Sequence, residues 1–263
     1  MAQLFDATQY LARIGIYDVV PGRELPDLAL LQRLLDAHLW SVPFENIDIM
    51  RRKPLSLNED DLYSKIVIHN RGGFCYELNG LFAMLLRALG YKVDTLSGRV
   101  RRGDGSYGTP DEHLTTVVHL DQPYLAEVGF AKSFPRVMSL DGTPYVHPKG
   151  TYRVRRDGEE YFVEAERKGE WVPEFRFDPT PRQLHEFNEI CAYIEGIPSF
   201  NSKYFCIVGK PEETIELKEH ELIRRSGTEV SRTAVHSMEE FWGYMHELCE
   251  PFRRIAESLE AEG

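Results

Sequence analysis

The sequence lacks several features that identify whole classes of protein. Its four cysteines, Cys75, Cys191, Cys206 and Cys249, form no Cys-x-x-Cys pair, so neither a zinc site nor a disulfide framework has sequence support. No apolar run approaches the roughly 18 residues that span a bilayer, and the amino-terminal stretch lacks the basic and apolar segments of a signal peptide. The sequence therefore predicts a cytoplasmic protein with free thiols, no metal site and no membrane segment.

Positive charge is also scarce. Lys and Arg number 31 against 42 Asp and Glu, and the net charge is −11. Because nucleic-acid binders neutralise phosphates with a basic face, we expect no nucleic-acid partner. An anionic small molecule would need a local basic patch. The 263 residues and the apolar share of 42% are typical of a soluble globular protein with one large domain or a few small ones.

Hydrophobic periodicity divides the chain into a helical, a β and a mixed part. "LPDLALLQRLLDAHLW" and the positions after Cys75 carry apolar residues at helical spacing, and Gly90 is a candidate to close the second of these helices. From Tyr91 the runs are short and β-prone, with turn signals between them, which predicts an antiparallel β domain. A connecting helix should begin near Pro181. The predicted parts are 1–90 (helical bundle), 91–180 (β-barrel), 181–200 (connecting helix) and 201–263 (C-terminal α/β lid).

The stretch "NRGGFCYELNGLF", residues 70–82, sets two glycines before a cysteine and a helical pattern. Gly72 and Gly73 permit backbone angles suited to a tight turn into a helix. If the helix begins near Phe74, its free N–H groups and dipole lower the pKa of the Cys75 thiol, and Arg71 adds to this effect. The same N–H groups would stabilise an oxyanion. The alternative is a buried, unreactive cysteine.

A nucleophilic cysteine needs an imidazole and a third group that orients it. His113 opens the strand "HLTTVVHL", and Glu127 lies in the following run "YLAEVGF". A hairpin in which paired residue numbers sum to 240 would set the two side chains directly opposite each other, whereas a one-residue slip would separate them. His119 of the same strand is the alternative imidazole. The other histidines show no metal-ligand spacing.

Six motifs agree, in order and across most of the chain, with one known family. The sequence resembles the arylamine N-acetyltransferases through "RGGFCYELN" and "VPFENIDI", which are specific, and through four weaker motifs: "YLARIGI", "EHL", "EVGF" and "PSFNSKYFC". The resemblance implies an α+β fold, with an N-terminal helical bundle, a central antiparallel β-barrel, a C-terminal α/β lid and a papain-like cysteine triad where the first two parts meet.

The resemblance also implies roles for particular residues. Cys75 would be the acyl-accepting nucleophile and His113 its base, in a ping-pong reaction between acetyl-CoA and an arylamine, arylhydrazine or N-hydroxyarylamine. The acceptor pocket would be lined by Phe44, Phe130 and Phe200. Ser202 and Lys203 of "NSKYF" are candidate CoA contacts, and an exposed, solvated lysine is the alternative for Lys203.

The sequence departs from the family pattern at two positions. Glu127 stands where the family usually has Asp, so the predicted triad is Cys-His-Glu; Glu reaches about 1.5 Å further, one carbon–carbon bond. Ala131 replaces a glycine beside the presumed acyl pocket and would narrow it. The alternatives are an amide synthase of the same fold with another acyl donor, a cysteine hydrolase or transglutaminase-like enzyme, and a triad-altered member that hydrolyses acetyl-CoA or only binds aromatic ligands.

Overall fold

The computed structural model describes residues 5–130, 136–227 and 229–248, and the first part of the chain is helical, as the leucine pattern predicts. Side chains of Asp6, Asp27 and Asn58 accept hydrogen bonds from the first-turn N–H groups of three of these helices, which satisfies donors that a helix start leaves free. A π-helical turn, Ser64–Ile68, extends the fourth helix. The first four helices are α1 (Ala7–Arg13), α2 (Leu28–Ser41), α3 (Ile47–Met50) and α4 (Glu59–Tyr63).

The fifth helix, α5 (Cys75–Ala88), is the centre of the largest core. It begins at the predicted position, with Phe74 as N-cap. Leu78, Leu81 and Phe82 are fully buried. The helix ends at Leu89, and Gly90 follows with a φ of 89°, the left-handed conformation that often terminates helices. The prediction of Gly90 at this helix end is therefore correct to within one residue.

An eight-stranded antiparallel sheet follows α5 and curls into a nearly closed barrel, in the strand order β5-β4-β3-β2-β9-β8-β7-β6. Its strands are β2 (Lys92–Val100), β3 (His113–His119), β4 (Pro123–Leu125), β5 (Met138–Ser139), β6 (Tyr145–His147), β7 (Gly150–Asp157), β8 (Glu160–Arg167) and β9 (Glu170–Pro181). Strands β2 and β3 pack against α5, and β5 approaches β7. Phe175, Phe177 and Val163 fill the interior of the barrel.

The segment between the barrel and the last sheet corrects one prediction. Pro181 does not start a helix: it is the last residue of β9. A 3₁₀ turn, Leu184–Phe187, then leads into α6 (Asn188–Glu195), and α7 (Pro198–Asn201) follows. Proline is acceptable at the end of β9 because a terminal strand residue need not donate a ladder hydrogen bond.

The C-terminal part is a five-stranded antiparallel sheet, in the order β1-β10-β11-β12-β13, and a closing helix. Its edge strand, β1 (Phe44–Glu45), comes from "VPFEN" in the predicted helical part and pairs with β10. The helical interpretation of that motif is therefore wrong for these two residues. The remaining elements are β10 (Phe205–Gly209), β11 (Glu213–Lys218), β12 (Glu221–Ser226), β13 (Glu229–Ala234) and α8 (Met238–Leu248). In the parts of the chain that the structure describes, no helix has the length and apolar character needed to cross a membrane.

A histidine is buried in the helical core. His38 has no exposed surface, and its Nδ1 shares a hydrogen bond with the Tyr10 hydroxyl at 2.9 Å. Its Nε2 is buried and has no hydrogen-bond partner among the described residues. Burial, with a smaller contribution from Arg13, lowers the pKa of His38 to about 3. The imidazole is therefore neutral in the folded protein at pH values where an unfolded chain would protonate it.

We predict that His38 makes the protein less stable as the pH falls. Between its ordinary pKa of 6.5 and the folded value of about 3, the unfolded chain binds the extra proton, so the free energy of unfolding falls by about 1.4 kcal/mol per pH unit. Urea unfolding at pH 7 and pH 5 measures this loss. In His38→Gln, which keeps an acceptor for Tyr10, the difference between the two pH values should shrink by about 2 kcal/mol; an unchanged difference would contradict the prediction.

Candidate active site

Gly72 and Gly73 bring the chain against Pro43 just before α5. The Gly73 N–H donates to the Pro43 carbonyl at 3.2 Å, and the Glu45 N–H donates to the Gly73 carbonyl at 3.0 Å. A Cβ on Gly72 would overlap the Pro43 carbonyl oxygen and lie 2.7 Å from Pro43 Cγ. Neither glycine has a positive φ. The predicted special backbone angles are therefore not left-handed ones: Gly72 is explained by its close approach to Pro43, and a Cβ on Gly73 would lie 3.0 Å from the Glu77 side chain.

A buried charge cluster lies behind this turn. Arg71 Nη2 donates to Glu45 at 2.7 Å and to Asp48 at 3.1 Å, and Lys65 Nζ lies 2.8 Å from both Asp48 and Glu77. Glu77 in turn accepts from the Phe74 N–H at 2.8 Å, so the cluster caps the first turn of α5. Burial raises the pKa of Asp48, but Lys65 and Arg71 outweigh it and lower the pKa to about 2.

The thiol of Cys75 lies at the N-terminus of α5 and is 4% exposed. Burial raises the pKa of Cys75, and Cys191 and Glu127 raise it further, whereas the N–H groups of Leu114 and Tyr76 lower it. Arg71 makes ion pairs with Glu45 and Asp48. The predicted net lowering of the thiol pKa is wrong, because desolvation outweighs the helix N–H groups.

Asn79, one turn after Cys75, donates to the Leu114 carbonyl at 2.7 Å, and the Leu114 N–H lowers the pKa of the Cys75 thiol, so the N-terminus of α5 lies at the start of β3, where His113 is located. His113 is 2% exposed and its Nε2 lies 2.9 Å from Glu127 Oε2. A carboxylate can only accept a hydrogen bond, so His113 Nε2–H is the donor in this contact. His113 Nδ1 therefore keeps a free lone pair. A neutral imidazole in this tautomer can take a proton from a neighbouring thiol.

The backbone register that joins His113 to Glu127 differs from the predicted one. Strands β3 and β4 pair so that residue numbers sum to 242, as Val117 with Leu125 does, and β4 ends two residues before Glu127. The shift of two residues keeps both side chains on the same face but makes them diagonal neighbours. The longer reach of glutamate spans this diagonal.

Four donors hold the Glu127 carboxylate. Oε1 accepts from Asn79 Nδ2 at 2.6 Å and from the Gly129 N–H at 2.7 Å, and Oε2 accepts from Thr115 Oγ1 at 2.6 Å in addition to His113. The three side-chain donors are at most 2% exposed. The four hydrogen bonds satisfy both carboxylate oxygens and fix the position of the side chain.

Sequence reasoning missed Asn79, Thr115 and Gly129. Asn79 lies one turn after Cys75 on α5, donates also to the Leu114 carbonyl at 2.7 Å and accepts from the Val128 N–H at 3.0 Å. Thr115 lies two residues after His113, on the same strand face. A Cβ on Gly129 would lie 2.9 Å from the Cys75 Cα. The spacings i+4 on the helix and i+2 on the strand were the available signals.

Aromatic rings surround the start of α5. Phe74 lies between Phe44, at a centroid distance of 4.8 Å, and Phe200, at 4.9 Å, and Phe205 stacks on Phe44 at 5.7 Å. The structure therefore brings two of the three predicted pocket residues to the chain segment beside Cys75. Phe44 is buried, and Phe200 is partly exposed.

The third predicted pocket residue, Phe130, lies on the barrel side of the site. Its ring packs edge-on against His113 at 5.4 Å and against Phe175 at 5.1 Å. These contacts restrict the rotation of the imidazole. Ala131, predicted to narrow the acyl pocket, lies outside the described residues.

The remaining predicted residues are Ser202, Lys203 and the alternative imidazole His119. Ser202 and Lys203 are exposed after α7, and the Lys203 carbonyl accepts from Asn46 Nδ2 at 2.8 Å. His119, the alternative imidazole, pairs with Asp94 at 2.7 Å near the other end of β3. Across residues 5–130, 136–227 and 229–248, no three His, Cys, Asp or Glu side chains form a group that could hold a metal.

Comparisons with known sequences give a consistent result. A family model described as N-acetyltransferase matches residues 27–248. The arylamine N-acetyltransferase of Mycolicibacterium smegmatis is 36% identical over 185 residues, which cover 67% of this chain and 66% of that protein, slightly under two thirds of its length. Proansamycin X synthase of Amycolatopsis mediterranei is 31% identical over 194 residues, which cover 71% and 73%.

Solved structures share the fold over nearly the whole chain. Arylamine N-acetyltransferase of Mycobacterium marinum in complex with CoA superimposes with a TM-score of 0.82 at 26% identity, covering 92% of this chain and 91% of that one. The NAT3 arylamine N-acetyltransferase of Bacillus cereus superimposes with a TM-score of 0.83 at 24% identity, covering 94% and 98%. That Bacillus enzyme is described as having a Cys-His-Glu catalytic triad.

We predict that Gly72→Ala destabilises the protein while Gly103→Ala does not. The first change pushes a methyl group into Pro43, whereas nothing lies within 4 Å of a Cβ at Gly103. Overpacking of this kind costs about 1–3 kcal/mol. Denaturant unfolding of the two variants measures the difference, and equal stability would show that the turn adjusts without strain.

Proposed function

The chain belongs to the arylamine N-acetyltransferase family, and on that premise we propose that it transfers an acetyl group from acetyl-CoA to the nitrogen of an arylamine, arylhydrazine or N-hydroxyarylamine through an acetyl-Cys75 intermediate. The observation that carries the proposal is the 2.9 Å contact between His113 Nε2 and Glu127 Oε2, with the Cys75 thiol beside the Leu114 N–H. This is a nucleophile, a base and an orienting carboxylate in one buried site.

The first half-reaction begins with proton transfer. Because burial keeps the thiol neutral, Cys75 becomes a nucleophile only as its proton moves to Nδ1 of His113, and the Glu127 carboxylate stabilises the resulting imidazolium. The sulfur then attacks the thioester carbon of acetyl-CoA. The N–H groups of Tyr76 and Leu114, which lower the pKa of the thiol, are our candidate donors for the oxyanion. As the carbon–sulfur bond to CoA breaks, His113 returns the proton to the leaving thiolate.

The second half-reaction transfers the acetyl group to the amine. The amine nitrogen attacks the acetyl carbon, His113 takes the amine proton, and the bond to Cys75 breaks as the proton returns to the sulfur. Aromatic amines suit this step because their low basicity leaves the nitrogen lone pair free at pH 7. Phe200, which is partly exposed, offers flat apolar surface for such an acceptor, and the buried rings of Phe74 and Phe44 pack behind it,.

In our proposal, Glu127 performs the role that aspartate usually has in the triad. Three features hold the longer glutamate side chain in one position. They are the diagonal register, the hydrogen bonds from Asn79 and Gly129 to Oε1, and the hydrogen bond from Thr115 to Oε2. The Bacillus enzyme with a described Cys-His-Glu triad is a precedent within the same fold. Acetyl-CoA as donor is supported by the Mycobacterium marinum structure with CoA.

One relative favours a second candidate function. Proansamycin X synthase is 31% identical to this chain, and an amide synthase of the same fold would use Cys75, His113 and Glu127 with a larger acyl donor. The two candidates differ in the donor that acylates Cys75. The acetyl-CoA test below therefore separates them.

We expect incubation with acetyl-CoA alone to add one acetyl group to the wild-type protein and none to Cys75→Ala. Intact-mass spectrometry measures the adduct, and a following addition of an arylamine should remove it and yield the acetylated amine. Steady release of CoA without an adduct would mean that water accepts the acetyl group. Absence of both would contradict the proposal and favour the amide-synthase candidate.

We predict that Glu127→Gln lowers the acylation rate roughly 10²- to 10⁴-fold, since the amide would donate to His113 Nε2 and force the proton onto Nδ1. Glu127→Asp should also lose on the order of tenfold or more, because the shorter side chain does not reach the diagonal imidazole while Asn79 and Gly129 hold it. Single-turnover acylation measures both rates, with exposed Glu166→Gln as control. Full activity of Glu127→Gln would exclude a triad role for this carboxylate.

A further inference from the structure

A tyrosine side chain joins the first turn of α5 to the segment that precedes His113. Tyr76 follows Cys75 in α5, and its hydroxyl donates to the backbone carbonyl of Asp111 at 2.9 Å. Asp111 lies two residues before His113, the first residue of β3. In the proposed reaction only the backbone N–H of Tyr76 takes part, as a candidate oxyanion donor, and its side chain has no role there.

The Tyr76 hydroxyl is a buried donor. The residue has no exposed surface, and its ring packs against that of Phe187 at a centroid distance of 5.8 Å. Burial, with a smaller contribution from the neighbouring Cys75, raises the pKa of Tyr76, so the hydroxyl keeps its proton. A buried hydroxyl that lost its acceptor would stay unpaired at a cost in free energy. The hydrogen bond therefore restrains both of the segments that it joins.

The backbone of Asp111 has an unusual conformation. Its φ is 62°, in the left-handed region that residues other than glycine adopt rarely and at a cost in free energy. Its N–H donates to Ser97 Oγ on strand β2 at 3.1 Å. One backbone group of Asp111 is thus bonded to β2 and the other, through Tyr76, to α5. Strained backbone of this kind persists where the surroundings impose it, and it is often found at functional sites.

The imidazole of His113 has little freedom on its other sides. Gly98 lies opposite His113 on β2, and a Cβ on Gly98 would lie 3.3 Å from both Cβ and Cδ2 of His113. Phe175 packs edge-on against the imidazole at 4.9 Å. The ring therefore moves with the start of β3, and its distance from the Cys75 sulfur depends on how that strand start is held against α5.

We propose that Tyr76 is a positioning residue, whose hydrogen bond to Asp111 holds His113 within proton-transfer distance of Cys75. The inference rests on the proposed function and deepens it. Tyr76 acts through the imidazole and takes no part in proton transfer itself. Because a displacement of about 1 Å can slow such a reaction roughly a hundredfold, one hydrogen bond at this place affects the rate more than its contribution to stability would indicate.

Alkylation of Cys75 by iodoacetamide tests the proposal without acetyl-CoA. As the sulfur–carbon bond forms, iodide leaves and the thiol proton passes to His113, so the rate reports on the thiol and imidazole together. Peptide mass spectrometry assigns the product to Cys75. In Tyr76→Phe we expect the alkylation rate at pH 7 to fall roughly tenfold. Ser97→Ala, which removes the acceptor of the Asp111 N–H, should show the same pattern.

Acylation by acetyl-CoA gives a second readout. In single-turnover experiments on Tyr76→Phe, the rate at saturating acetyl-CoA should fall by a factor similar to that for alkylation. The half-saturating concentration should stay unchanged, because the hydrogen bond positions the base and does not bind the donor.

Tyr91→Phe is a matched control. Tyr91 is 4% exposed, and its hydroxyl donates to the backbone carbonyl of Asp27 at 2.9 Å, beyond the other end of α5. Each variant loses one hydrogen bond from tyrosine to a backbone carbonyl, so denaturant unfolding should show similar losses of stability. The alkylation rate of Tyr91→Phe should nevertheless match the wild type. In a His113→Gln background, Tyr76→Phe should have no further effect, since the imidazole is absent.

The possible results separate a positioning role from a merely structural one. An unchanged rate in Tyr76→Phe, an equal loss of rate in both tyrosine variants, or a full effect of Tyr76→Phe in the His113→Gln background would each overturn the proposal. If alkylation follows the expected pattern but acetyl-CoA does not acylate the wild-type protein, the positioning role of Tyr76 stands and the proposed function fails.

Discussion

The carboxylate of Glu127 is the group on which the candidate site depends. It joins α5, through Asn79, to β3, through His113 and Thr115, and to its own loop, through the Gly129 N–H. A buried carboxylate without donors would be costly. With all four donors present, the same group orients the imidazole and fixes the helical part of the chain against the barrel.

The position of Cys75 at a helix N-terminus does not by itself make its thiol reactive. A helix N-terminus alone would lower the pKa of the thiol, but burial at this position raises it,. Ionisation is therefore coupled to proton transfer to His113, and the site holds no free-standing thiolate. A neutral resting thiol is less exposed to oxidation, since the thiolate is the form that reacts.

Much of the fold and part of the site followed from the sequence. Apolar periodicity placed α5 and its start at Cys75, because helix signals there are local, and the change to short β-prone runs placed the barrel. Other features depend on distant partners. No local sequence pattern specifies three of the tertiary contacts. These are the register that makes His113 and Glu127 diagonal neighbours, the pairing of β1 with β10, and the contact of Gly72 with Pro43. Burial of Cys75 was predicted only as the alternative to a reactive thiol, since burial is a property of the whole packing arrangement.

The pairing of β1 with β10 also has a consequence for biosynthesis. Asn46, beside β1, donates to the Phe200 carbonyl across 154 residues of sequence. The segment that carries Phe44 is therefore synthesised long before the segment with which it pairs. Chains emerge from the ribosome at about 5–20 residues per second, which leaves "VPFEN" unpaired for many seconds. During that interval the α5 segment and Cys75 lack part of their aromatic cover. In the folded protein, by contrast, the thiol is buried.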